Sequence, residues 1–318
     1  MSSANFSDFI QAGDATGLHV FMTNDRSQLE RNTVSRALFD ACRDGADKIC
    51  EVLITFGADV NYVVDHMFEL TPLSVACHNA HPACVDILLA HGVDASASNF
   101  ALMETALEPR DTPVGLTLDQ FIDNRCRCMR SLLDAGAAID QRNNNGLTVL
   151  MHAIWNFRLT EILVKAGASV NILNNYRSSS LHFACYRNHH DVVELLLERG
   201  ADIDAANMFG STPINGACAL YNLCPAVLET LLHHGANIDI LDNHGRTALQ
   251  KAMTRSPPNA RSNSPNRVAL LQLMATCAQT RLEESSADWI RLARNERSRP
   301  QITIGSTGIS RQRRRRNI

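Results

Sequence analysis

Pairs of large apolar residues recur along the chain at a regular interval: Leu53-Ile54, Leu88-Leu89, Leu132-Leu133, Leu163-Val164, Leu196-Leu197 and Leu231-Leu232. More apolar residues stand one helical turn earlier, at Ile49, Val85, Val192, Val193 and Val227. Apolar positions at i, i+3 and i+4 predict an amphipathic helix with one buried stripe. Each pair is followed by a glycine, at Gly57, Gly92, Gly136, Gly167, Gly200 and Gly235, with successive spacings of 35, 44, 31, 33 and 35. Glycine accepts the left-handed backbone at which a helix commonly ends, so the pattern also predicts where each helix stops.

A second phase lies upstream of each pair. Thr71-Pro72-Leu73-Ser74-Val75-Ala76-Cys77 is its cleanest copy. Its partners begin at Thr148, Ser179, Thr212 and Thr247. Thr or Ser caps a helix, Pro is tolerated in the first turn, and the small residues that follow let a neighbouring helix approach closely. A third phase follows the glycine: Gly57-Ala58-Asp59-Val60-Asn61 is repeated as Gly200-Ala201-Asp202-Ile203-Asp204 and, with small changes, in the other copies.

A cap, a small-residue helix, a Leu-Leu helix, then Gly-Ala-Asp and Asn or Asp, repeated near every 33 residues, resembles the ankyrin-repeat family. The resemblance implies an all-α solenoid of about seven helix-pair repeats, beginning near Arg31, His66, Phe100, Asn143, Asn174, Asn207 and Asp242. It covers roughly residues 33–278. Residues 1–32 read as a degenerate N-terminal capping unit with a polar outer face, as terminal repeats need. A capping box at Ser285-Ser286-Ala287-Asp288 opens an expected C-terminal capping helix over 279–299. Residues 300–318 are Gly, Ser and Arg rich and read as a disordered basic tail.

Three departures from the pattern are visible. The third repeat has only Thr105-Ala106-Leu107 for its core motif, and an insertion of about 11 residues is expected around 108–117, ahead of the Leu132-Leu133 helix. The fourth repeat is two residues short between its helices, and the seventh carries a polar loop with Pro257, Pro258 and Pro265. The second helix of the seventh, over 268–277, lacks its closing glycine.

Composition changes the picture in few places. An apolar fraction of 45% with only 5% aromatics suits thin helical layers packed by Ala and Leu. The net charge of −3 is uneven: from Arg291 onward nine Arg stand against Glu296, a net +8, which leaves −11 on the rest. No basic segment followed by an apolar stretch opens the sequence, so no secretory leader is expected. No window approaches eighteen apolar residues, so no membrane span is expected either. The ten cysteines then read as free thiols in a reducing compartment, cytoplasmic or nuclear.

None of the His, Cys and carboxylates stands in catalytic order, and no phosphate loop, nucleophile elbow or kinase signature is present, so an enzyme is not expected. Cys42, Cys77, Cys185 and Cys218 share one repeat position and read as small packing residues. Cys126 and Cys128 form a C-x-C with no second pair at finger spacing, so no metal site is expected. His189-His190 and His233-His234 fall where helices turn and read as structural. No cofactor is implied.

In ankyrin repeats the hairpin tips and the ends of the first helices face a shared concave groove. Carried onto this sequence, the resemblance assigns partner binding to Met67, Phe68, Leu70, Asn144, Asn145, Tyr176, Met208 and Phe209 on hairpins, and to His78, Trp155, Tyr186 and Leu220 at first-helix ends. Solvated tips should be polar, so the exposed row expected from Met67, Phe68, Trp155, Tyr176, Tyr186, Met208 and Phe209 points to a protein or peptide partner. The alternative is that neighbouring segments cover these side chains as ordinary packing. The tail residues Arg311, Arg313, Arg314, Arg315 and Arg316 fit a nuclear-import peptide, an anionic-surface contact or a solubilising end. Charge without aromatic interleaving predicts no specific nucleic-acid binding. The expectation is a monomeric adaptor or scaffold. Two alternatives keep the scaffold: a substrate-recruiting subunit of a ubiquitin ligase, although 283–299 matches no SOCS-box or F-box pattern, and a nuclear regulator that masks a transcription factor.

Overall fold

The structure, a computed structural model, describes residues 6–24, 30–64, 70–95, 99–109, 115–219 and 224–254. The chain divides into two compact units, Met1–Leu270 and Leu271–Ile318, and every described residue belongs to the first. The helices expected over 268–277 and 279–299 and the tail over 300–318 lie outside the described residues.

Fifteen helices are described, falling in pairs: α1 (Phe6–Ala12) and α2 (Ala15–Asn24), α3 (Arg31–Asp44) and α4 (Asp47–Thr55), α5 (Pro72–His78) and α6 (Pro82–Ala90), α7 (Asn99–Ala106) and α8 (Leu118–Asp134), α9 (Val149–Ala153) and α10 (Phe157–Lys165), α11 (Ser180–Tyr186) and α12 (His190–Glu198), and α13 (Pro213–Cys218) and α14 (Pro225–His233). The last described helix is α15 (Ala248–Thr254). Each first helix from α3 to α15 packs on the first helix of the next pair, and each second helix from α2 to α14 does likewise. The result is a two-layer solenoid in which a repeat buries its apolar face against its neighbours. No strand occurs among the described residues; one isolated antiparallel bridge joins Arg142 and Thr148.

The repeating leucines make this core. Leu53, Leu88, Leu132, Leu163, Leu196 and Leu231 are all 0% exposed. Truncating such a residue to Ala costs about 2–5 kcal/mol, because a cavity is left that the stack closes only partly. The four in-phase cysteines, Cys42, Cys77, Cys185 and Cys218, are buried beside them. Helix starts follow the caps: Thr71 Oγ1 accepts from the Ser74 N–H at 3.1 Å while Ser74 Oγ accepts from the Thr71 N–H at 2.9 Å. Helix ends follow the glycines, as at Gly167 with φ 94° and Gly200 with φ 78°.

Polar side chains tie the loops in register. Asn143, Asn174, Asn207 and Asp242 each accept two backbone N–H groups inside their own hairpin, as Asn174 does from Tyr176 and Ser178 at 2.9 Å. Between hairpins, the Asn175 N–H donates to Asn145 O at 3.1 Å, Met208 N–H to Tyr176 O at 2.9 Å, and Asn243 N–H to Phe209 O at 3.0 Å. At the opposite ends of the repeats, Asp140, Asn171 and Asp204 accept from the N–H groups of Ser169, Asp202 and Asn237 at 2.8–2.9 Å. The Asp and Asn of the Gly-Ala-Asp segments thus satisfy backbone donors of the following repeat.

Two departures take a different form from that expected. The extra length of the third repeat is only partly loop: α8 has 17 residues where α6, α10, α12 and α14 have 9. Thr117 and Gln120 form a capping box at its start, and its long apolar stripe buries Phe121 and Ile122 as well as Met129 and Leu132. The two residues missing from the fourth repeat come off the first helix, since α9 has 5 residues where α5 and α11 have 7.

Candidate functional site

Of the twelve residues assigned to the groove, Met67, Phe68 and Leu220 lie outside the described residues, as do Arg311, Arg313, Arg314, Arg315 and Arg316. Leu70 is half-buried at the base of its hairpin, where its carbonyl accepts from the Val64 N–H at 2.9 Å. Asn144 and Asn145 are exposed, but their carbonyls are taken: Asn144 O by Asn175 Nδ2 at 2.9 Å and Asn145 O by the Asn175 N–H. His78 is exposed and engaged, with Nδ1 2.6 Å from Glu104 Oε2 on the next first helix.

The expectation that Trp155 stands exposed in an aromatic row is corrected. Its ring is half-buried, and Nε1 donates to Ala106 O at 2.7 Å. The shortened α9 places Trp155 in the turn before α10, from which the indole reaches back to the end of α7 and satisfies one of its orphan carbonyls. Arg125 of α8, 1% exposed, serves two helix ends, donating to His78 O at the end of α5 at 3.0 Å and to Leu107 O just past α7. Its guanidinium lies 4.5 Å from the Phe121 ring centroid. Burial lowers the Arg125 pKa to about 10, so the cation persists at neutral pH.

The other aromatics do gather. Tyr176 (53% exposed), Tyr186 (59%), Met208 (48%) and Phe209 (56%) belong to two successive repeats whose hairpins are bonded through Met208 and Tyr176. Tyr186 and Phe209 flank a cavity of about 490 Å³. Phe183, Gly216, Arg246 and Lys251 also line it, and sequence reasoning passed over all four. The signal was available: Val75, His152, Phe183, Gly216 and Lys251 occupy one position of the first-helix motif in successive copies.

The charge in this cavity is fixed by one buried carboxylate. Burial alone would raise the Asp242 pKa. The Arg246 backbone N–H and the Lys251 and Arg246 side chains outweigh that and hold the carboxyl far below its usual range. Lys251 Nζ lies 3.0 Å and Arg246 Nη2 3.1 Å from Asp242 Oδ2. Among the described residues lining the cavity, two cations thus meet one anion, a positive excess.

Several further polar groups are engaged within the fold. His182 is 7% exposed; its Nδ1 accepts from the Ser179 N–H at 3.1 Å, so Nε2 carries the proton donated to Ser211 O at 3.0 Å. His190 Nε2 contacts Thr230 Oγ1 at 2.9 Å, and His234 Nδ1 donates to Thr230 O at 2.9 Å. Burial pushes the thiols of Cys128 and Cys218 up to about 12, so both behave as small hydrophobes. Among the described residues no group of three or more His, Cys, Asp or Glu is placed to hold a metal ion, and no helix is long and apolar enough to cross a membrane.

Compared with known proteins, residues 23–110 and 120–207, more than half of the chain, each match a family model described as ankyrin repeats (3 copies). The Ankyrin repeat and SOCS box protein 6 of Homo sapiens is 33% identical over 179 residues, 56% of this chain and 34% of that protein. The B-cell lymphoma 3 protein homolog of Mus musculus is 29% identical over 167 residues, 51% of this chain and 35% of that protein. The chain thus spans about a third of the length of these relatives. The crystal structure of the human ASB11 ankyrin repeat domain superposes with a TM-score of 0.57 at 22% identity, covering 73% of this chain and 96% of that one, and shows the same fold.

Proposed function

The chain belongs to the ankyrin-repeat family, and from that premise we propose that it is a non-enzymatic adaptor or scaffold that holds a partner protein in its concave groove, chiefly over the fifth and sixth repeats. The observation that carries this reading is the set of exposed large side chains on two adjacent repeats, Tyr176, Tyr186, Met208 and Phe209, of which Tyr186 and Phe209 flank one cavity. Exposed aromatics with few rotamers are the usual anchors of protein interfaces, and an unpartnered patch of them favours aggregation. The reading takes the chain to be monomeric, to need no cofactor and to bind no specific nucleic acid.

The test is a Tyr186→Ala/Phe209→Ala double variant compared with wild type by affinity purification and mass spectrometry, with melting curves for both. The expected result is loss of a reproducible set of partners at a melting temperature within about 2 °C of wild type, since both side chains are mostly solvated. Unchanged partners would remove the groove reading. A fall of several degrees would show the pair to be packing.

A second reading, a substrate-recruiting subunit of a ubiquitin ligase, is favoured by a relative whose name includes a SOCS box. Co-purification of the full chain with a cullin or elongin subunit would support it, and their absence from purified complexes would remove it. The cytoplasmic or nuclear destination is proposed from the cysteine usage, and its nuclear part from the Arg-rich tail. A reporter fused to residues 298–318 that stays evenly spread would remove the import signal and, with it, the support for a nuclear regulator of a transcription factor.

A further inference from the structure

Gly216 is the one described glycine that its own fold does not require. All the described glycines except Gly17 and Gly216 have positive φ, where a side chain is strained. At Gly17 a Cβ would lie 2.7 Å from the Phe9 ring. At Gly216 the backbone is helical and an added Cβ would meet nothing within 4 Å. A glycine inside a helix weakens it relative to alanine, and a local rule broken with no structural return marks positions selected for something else.

The open space belongs to the cavity between the fifth, sixth and seventh repeats. Equivalent first-helix positions in the neighbouring repeats carry large side chains, Phe183 before and Lys251 after, so Gly216 forms a notch between an aromatic wall and a cationic one. Phe209 and Tyr186 stand exposed at its rim. On the far side, Asp242 is outnumbered by Arg246 and Lys251. The apolar side suits a bulky hydrocarbon or aromatic group, and the positive excess suits a carboxylate beside it.

We propose that the Gly216 notch takes one bulky apolar side chain from an acidic peptide segment of the partner, with Asp or Glu next to that side chain facing Arg246 and Lys251. This rests on the groove reading above and names the chemistry of its ligand. The aromatic walls supply contact, the glycine supplies depth, and the cations select against basic sequences.

Panning a random dodecapeptide display library on the full chain, then measuring synthetic copies of the enriched peptides by fluorescence anisotropy, tests it. The expected result is enrichment of Trp, Phe or Leu within three residues of Asp or Glu. Gly216→Leu should weaken these peptides by at least tenfold while its melting temperature equals or exceeds that of wild type. His244→Glu, at an exposed site on the cavity rim, should weaken them about fivefold, and this variant keeps the test sound should Gly216→Leu fail to fold. Enriched peptides that are basic or lack a bulky residue overturn the proposal, as does equal binding to folded Gly216→Leu or no enrichment. Peptides insensitive to Gly216→Leu yet lost in Tyr186→Ala/Phe209→Ala would leave the groove reading standing, whereas insensitivity to both would end the two together.

Discussion

The indole N–H of Trp155 donates to the carbonyl of Ala106 across 2.7 Å, joining the turn of the fourth repeat to the helix end of the third. An apparent groove aromatic is thereby a fastener. Trp155→Phe keeps the ring and removes the donor, leaving Ala106 O unpaired. The expected loss is about 1–2 kcal/mol in urea unfolding, with unchanged binding of groove peptides. A variant as stable as wild type would show that water replaces the bond freely.

Arg125 serves the same region and should matter more. Arg125→Met removes both donors from His78 O and Leu107 O, and the expected loss is about 2–4 kcal/mol by chemical denaturation. Arg125→Lys should recover little of it, because a single ammonium lacks the planar fork that spans two carbonyls. Full recovery with Lys would mean that charge, not geometry, is what the site needs.

The hairpin turns invite a substitution with the opposite sign. Arg177 sits at φ 58° where the equivalent hairpin positions are Gly146, Gly210 and Gly245. A Cβ at Gly146 would lie 2.8 Å from the Asn175 backbone nitrogen, because Asn175 reaches under that turn to Asn144 O. One repeat on from Arg177 the corresponding residue is Met208, whose side chain has no amide to make that reach. Arg177→Gly relieves the left-handed strain and should stabilise by roughly 1 kcal/mol, which raises the melting temperature by about 2–4 °C. Gly146→Ala should lower it by at least as much.

Stability should fall in mild acid through His182 and His152. Burial lowers both pKa values below 6.5. In each case the bonded acceptor nitrogen, His182 Nδ1 or His152 Nε2 (3.4 Å from Asn143 Nδ2), must stay unprotonated to accept. The unfolded chain therefore binds protons more readily than the folded one. Their stabilisation is present above pH 6.5 and is lost progressively as the pH falls below it. Urea midpoints from pH 8 to pH 5 should drop, and the drop should be smaller in His182→Gln. A His182→Gln slope equal to wild type would assign the effect to other groups.

Much of this fold could be read from spacing alone. The leucine pairs, the Thr and Ser caps and the terminating glycines are local signals, each acting within one or two turns of where it stands. The third repeat resisted because its solution is not local. Arg125 is one of three Arg along α8, and only the approach of α5 and α7 turns it into a buried clamp. Trp155 read as a groove residue because its motif position was right, while the two-residue deletion that redirects it acts through geometry. The groove was legible as a row of positions, yet Gly216 escaped, since an absent side chain becomes visible only when its neighbours are in place.

Among the described residues, the main-chain amides that link one hairpin to the next donate in one sense: Asn175 to Asn145, Met208 to Tyr176, Asn243 to Phe209. Those of Ser169, Asp202 and Asn237 likewise find side-chain acceptors in the preceding repeat. A ribosome delivers the acceptors first. Each emerging segment therefore meets a finished template, and the growing protein can add order one unit at a time from its amino terminus, without waiting for distant sequence to be made.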